Sequence, residues 1–215
     1  MSARLLATFC LGNLVVASAW ASSADLPGSE VVVYLSAAGA QPERPLDYMK
    51  LELGRLMSTA GYRIAWADSR DPERPSTESP LVVVRFHGAC AIAAVPSAKT
   101  GALASTAVSG GQIIPFSSLD CTSLTRVLSA PLASEPGARR DFLYGRAMAR
   151  LLAHELYHVL LKTTDHSHEG LARPTFTAAD LLAERFEFEQ TTLVKLRPPA
   201  IPHPTASSTD DSSTR

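Results

Sequence analysis

Four of the six histidines in this 215-residue chain lie in one stretch, "LLAHELYHVLLKTTDHSHEGLA", residues 151–172. His154 and His158 are four apart, so on a helix their rings leave the same face one turn apart and can grip one metal ion. Glu155 sits one position round from His154 and need not be a ligand. It can lie beside a water activated by the metal and accept its proton. Two ligands and one general base from a single helical turn are the mechanical content of the H-E-x-x-H pattern of zinc hydrolases.

A hydrolytic zinc ion usually takes three protein ligands and keeps a fourth position open. Several residues compete for the third place. His166, eight residues past His158, is favoured because "KTTD" lets the chain leave the helix and turn back. His168 comes next, and Glu184, Glu187 and Asp180 are carboxylate alternatives further along. His87 and His203 read as ordinary residues. The duller account is two hydrogen-bonded core histidines with Glu155 in an ion pair. Leu151, Leu152, Leu156, Val159, Leu160 and Leu161 make the helix apolar nearly all round, hence buried. Polar groups desolvated there cost several kcal/mol unless partnered, and one ion partners all three.

These residues need a scaffold. "EVVVYLS" at 30–36 is β-branched and aromatic, as a strand requires, and "PLDYMKLELGRLMSTAG" then repeats Leu46, Met49, Leu53 and Leu56 at helical spacing before Gly61. "YRIAWAD" at 62–68 alternates as a second strand. "DPERPSTES" is a surface loop, and the apolar run "PLVVVRFHG" from Pro80 reads as a central strand. Residues 91–111 suggest an irregular excursion with a short strand near "ALASTAVS". "GQIIPFSSLD" at 111–120 reads as an edge strand, because Pro115 cannot donate to a central ladder. "LDCTSLTRVLSA" is expected to be a short helix. "RRDFLYGRAMARLLAHELYHVLL" is a long one with Asp141 as its cap, and "FTAADLLAERFEFEQTTLVKL" is the last, capped at Thr177 with Asp180 in an imperfect capping box. The order implies an α+β domain with helices packed on one face of a mixed sheet, spanning residues 25–197.

Arg4, the apolar stretch from Leu5 to Ala17 and the small residues at Ala19 and Ala21 have the layout of a secretory signal peptide, residues 1–21. Its removal takes away Cys10. Cys90 and Cys121 then remain in an exported chain and are expected to pair, closing a loop worth on the order of 3 kcal/mol. The end, 198–215, is rich in proline, serine, threonine and aspartate and is expected to be disordered. A formal net charge of −1 without a long basic run argues against nucleic acid or an anionic membrane as partner, and no segment after the signal has the length for stable membrane insertion.

"HELYHVLLKTTDHSHEGL" resembles the zinc-binding region of the metzincin-like metalloproteases, and is closer to a group of small secreted bacterial proteins with HExxH and a histidine eight residues later. The likeness extends upstream through "VVVRFHGAC" and "GGQIIPFSSLDC". It implies a zincin-like fold, zinc on His154, His158 and His166, Glu155 as general base, and a chain turn beneath the metal at Gly170 and Leu171. It also implies an antiparallel edge strand, from "ALASTAVS" or "GQIIPFS", that receives substrate as an added strand. The chain departs from the metzincin pattern at Leu161, Thr164 and Ala172, where that pattern would have glycine, histidine and methionine. The expectation is a secreted zinc metallopeptidase acting on a peptide or protein through a zinc-bound water. The alternatives are an exported, non-catalytic zinc-binding interaction domain and a metal-free structural domain.

Overall fold

The computed structural model describes residues 29–67, 79–93 and 101–198. The expected signal peptide, most of the surface loop near Pro72, His203 and the tail beyond Pro198 lie outside them. In chain order the elements are β1 (Ser29–Ala37), α1 (Glu43–Thr59), β2 (Tyr62–Ala67), β3 (Leu81–His87), β4 (Ala104–Ser109), β5 (Gln112–Asp120), α2 (Cys121–Leu128), α3 (Gly137–Leu161), α4 (Ala178–Leu182) and α5 (Gln190–Leu196), with one 3-10 turn at Gly170–Ala172. This is an α+β domain.

The sheet is mixed, with strand order β2-β1-β3-β5-β4. The β1–β2, β1–β3 and β3–β5 pairs are parallel, and β4 runs antiparallel to β5. The apolar run of β3 is central, as its composition predicts. Its alternate residues Val82, Val84 and Phe86 are buried and join Val31, Val33 and Leu119 on the face the helices cover. Leu81, Arg85, His87 and Phe116 are exposed from the other face.

Pro115 does not make β5 an edge strand. β5 lies between β3 and β4, and β4 is the terminal strand. The register passes from Thr106↔Ser117 to Val108↔Ile113, so Ala107 faces a bulge that contains Pro115. A bulge breaks the ladder locally, which is the other setting in which a strand tolerates proline.

The long helix α3 crosses α1 closely at Gly145. A Cβ there would lie 2.5 Å from the Pro45 carbonyl and 2.6 Å from Tyr48 Cβ, so only glycine lets the backbones approach. Asp141 does not cap this helix. The cap position is Pro136, whose fixed φ prepares the first turn, and Asp141 falls inside the helix.

The last helix is also not continuous. Thr177 and Asp180 form a full capping box, but α4 ends at Leu182 and the chain becomes helical again only at Gln190. Two guanidiniums from α3 account for the break. Arg150, fully buried, donates to the carbonyls of Asp180 and Leu181 at 2.9 Å each, and Arg146 to that of Ala183 at 2.8 Å. Carbonyls held by charged donors lose little when the helix stops. Cys90 and Cys121 form a buried disulfide with Cα atoms 4.8 Å apart, joining the end of β3 to the start of α2. Among the described residues no helix is long and apolar enough to cross a membrane.

Candidate metal centre

His154, Glu155 and His158 all lie on α3 in its buried portion, retaining only 6%, 4% and 7% of their exposure. The helix ends two turns after His154 began the motif. Lys162 takes a left-handed conformation (φ 51°, ψ 41°) and sends the chain back over the site. Among the described residues Lys162 is the one non-glycine residue with positive φ. The returning loop is pinned twice to the helix it left: His158 Nδ1 donates to the Thr163 carbonyl at 2.7 Å, and the Tyr157 hydroxyl to that of Asp165 at 3.0 Å. The next residue is His166. Its ring centroid comes 5.3 Å from that of His154 and 4.8 Å from that of His158.

One ligand nitrogen from each of His154, His158 and His166 falls within 4.8 Å of the others, so the three can hold a metal ion. The other candidates for third ligand lie outside this group. His168 is exposed, Asp180 is used in the α4 cap and pairs with Arg173, Glu187 pairs with Arg55 at 2.6 Å, and Glu184 is exposed.

The histidine tautomers follow from their neighbours. His154 Nδ1 lies 2.7 Å from the Leu171 carbonyl and His158 Nδ1 2.7 Å from that of Thr163. A carbonyl only accepts, so each Nδ1 carries the proton. Burial disfavours a second proton: it lowers the His154 pKa to about 4 and moves that of His158 down as well. Each Nε2 therefore presents a lone pair, and the two Nε2 atoms stand 3.0 Å apart. No hydrogen bond can join them in that state. A cation satisfies both, and bonds of about 2.1 Å at a tetrahedral angle would set them roughly 3.4 Å apart, a small adjustment.

The turn at Gly170–Ala172 supplies the Leu171 carbonyl. Gly170 has φ +63°, and a Cβ on it would come 2.5 Å from the Glu187 carbonyl, which accepts from Leu171 N at 3.0 Å. Leu171 itself is fully buried.

Glu155 faces the end of the sheet. Its Oε2 lies 2.6 Å from Thr106 Oγ1 on β4, and burial raises its pKa to about 7. Two cavities of about 230 and 240 Å³ share Ala104, His154, Glu155 and Pro174 as walls. One runs on to Leu151 and Phe176, the other to His158 and His166.

No described strand lies beyond β4. Asp120 N donates to Leu103 O at 2.8 Å, which makes Ala104↔Leu119 the kind of antiparallel pair whose own N–H and C=O groups point outward. By alternation Thr106 is the next such residue. Ala104 and Thr106 thus turn backbone donors and acceptors toward the free edge beside the histidines.

The Leu171 and Thr163 carbonyls, the Tyr157 brace and Thr106 were not found by sequence reasoning. Carbonyls belong to every residue and carry no signal, while Thr106 stands 49 residues before Glu155. No protein-family model matches the chain, and no curated protein matches it.

Proposed function

We propose that the protein is an exported, zinc-dependent peptidase of metzincin-like type, with His154, His158 and His166 as ligands and Glu155 as general base. The observation that carries this reading is the pair of Nε2 atoms 3.0 Å apart, each on a ring whose Nδ1 meets a carbonyl, with a third imidazole beside them. Three imidazoles suit zinc, whereas calcium and magnesium favour oxygen ligands. When bound, such an ion supplies Lewis acidity toward a carbonyl and a water nucleophile at neutral pH.

The chain's own residues do the rest. Glu155, buried next to His154 and held by Thr106, can accept a proton from water and return it to the leaving amine. The outward N–H and C=O groups of Ala104 and Thr106 pair with an extended peptide laid along β4, which brings its backbone past Glu155. The apolar walls of the cavity reaching Leu151 and Phe176 suit an uncharged side chain of that peptide. The sheet order and its antiparallel terminal strand support a zincin-like fold. The disulfide is compatible with export to an oxidising compartment.

The test is peptide-library cleavage by zinc-loaded protein, with Glu155→Gln as control. The wild type is expected to cleave and lose activity to a chelator, and the variant to bind zinc without cleaving. Zinc bound by a wild type that cleaves nothing would favour the non-catalytic binding domain, and undiminished cleavage by Glu155→Gln would overturn the role given to Glu155.

A further inference from the structure

The geometry points to Thr106 as a positioning residue that ties the peptide-receiving strand to the general base, an inference resting on the peptidase reading. Thr106 does two things at once. Its backbone N–H and C=O face the open edge of β4, while its side chain turns inward to α3. Among the described residues of β4, Thr106 alone bonds Glu155.

The direction of the hydroxyl proton follows from a count of donors and acceptors. Thr106 Oγ1 has three neighbours: Glu155 Oε2 at 2.6 Å, Ser117 Oγ at 3.0 Å and the Glu155 carbonyl at 3.3 Å. As a general base Glu155 acts in its ionised form, and an ionised carboxylate only accepts. Ser117 is buried on β5, opposite Thr106 in the register, and its own proton is satisfied by donating to Thr106 Oγ1. The Thr106 proton is then free for Glu155, and the oxygen at 2.6 Å is its best acceptor. The result is a directed chain, Ser117 to Thr106 to Glu155, running from the sheet into the helix.

This chain fixes one carboxylate oxygen and leaves the other, Oε1, to face the reacting water. A carboxylate without that anchor can rotate about its last bond and lose alignment. Because Thr106 also pairs with the peptide, strand addition and base placement share one residue. A peptide seated on β4 firms the same backbone that aims Glu155.

The test compares Thr106→Val, which keeps the shape and removes the hydroxyl, with Thr106→Ser, which keeps the hydroxyl. Steady-state cleavage by zinc-loaded protein should show kcat down roughly ten- to a hundredfold in Thr106→Val, with KM within about threefold of wild type. Thr106→Ser should recover most of that loss, and both variants should bind one zinc. A second readout needs neither metal nor turnover. In metal-free protein held above pH 7, the infrared carboxylate band that vanishes in Glu155→Gln should shift in Thr106→Val and stay near its wild-type position in Thr106→Ser. A band that does not move, equal loss in both variants, or a change confined to KM would each overturn the proposal. Absence of turnover in zinc-loaded wild type would overturn the peptidase reading and this inference with it, whereas wild-type turnover with an unaffected Thr106→Val would overturn this inference alone.

Discussion

The backbone carbonyl of Leu171 accepts the Nδ1 proton of His154 at 2.7 Å, and so decides which nitrogen of that ring is left to bind a cation. A residue without a chemically active side chain thereby sets the tautomer of a proposed ligand. Groups of this kind raise ligand basicity and hold ring orientation. The Leu171 turn is in turn held by the Glu187 carbonyl, within the segment whose upstream carbonyls Arg146 and Arg150 grip.

Gly170→Ala should therefore injure both stability and metal binding. The new Cβ meets the Glu187 carbonyl at 2.5 Å, at a φ of +63° that non-glycine residues adopt at a cost. The combined loss should be on the order of 2 kcal/mol or more, with zinc affinity falling about tenfold to a hundredfold. Thermal unfolding with and without zinc, and competition against a chelator, give the two numbers. Wild-type zinc affinity in the variant would remove the turn from the site.

His166→Ala and His168→Ala separate the rivals for third ligand. The first removes a ring from the cluster, so zinc affinity should fall by at least about a hundredfold. The second removes an exposed ring outside it and should leave affinity unchanged. Elemental analysis and chelator competition are sufficient. The reverse pattern would move the third ligand to His168.

Lys162→Gly should stabilise the protein by about 1 kcal/mol, because Lys162 holds φ 51° at the end of α3. Denaturant unfolding of metal-free protein measures it. A destabilised variant would mean that the lysine side chain contributes more there than its backbone costs.

Metal-free protein should lose stability on both sides of a pH maximum. His154 has its pKa lowered from 6.5 to about 4 in the folded state, so its contribution is full above pH 6.5 and is lost as pH falls through 4. Glu155 has its pKa raised from 4.5 to about 7, so its contribution is full below pH 4.5 and is lost as pH rises through 7. Glu155→Gln should abolish the alkaline fall and leave the acid one. Urea unfolding across pH 4–8 for both proteins tests this, and an alkaline fall that persists in the variant would assign it to another group.

The sequence alone determined much that is local. The four-residue spacing of His154 and His158 places both rings on one helical face whatever surrounds them, because the helical period is intrinsic to the backbone. The apolar runs likewise gave the strands their positions, the capping box at Thr177 was legible, and Cys90 and Cys121 were legible as a pair. Contacts between distant segments were not legible. Pro115 excludes a regular central ladder, but only the pairing of β4 with β5 decided that a bulge, and not the sheet edge, would receive it. The periodicity of residues 176–196 suited one helix, yet Arg146 and Arg150 made a break inexpensive by holding its carbonyls. The tautomers of His154 and His158 and the anchoring of Glu155 depended on Leu171, Thr163 and Thr106. Two of these act through carbonyls that any residue possesses, and the third arrives from a strand placed by the whole sheet. Spacing supplied the chemistry's components; tertiary packing decided the proton positions and set β4 as the terminal strand beside Glu155.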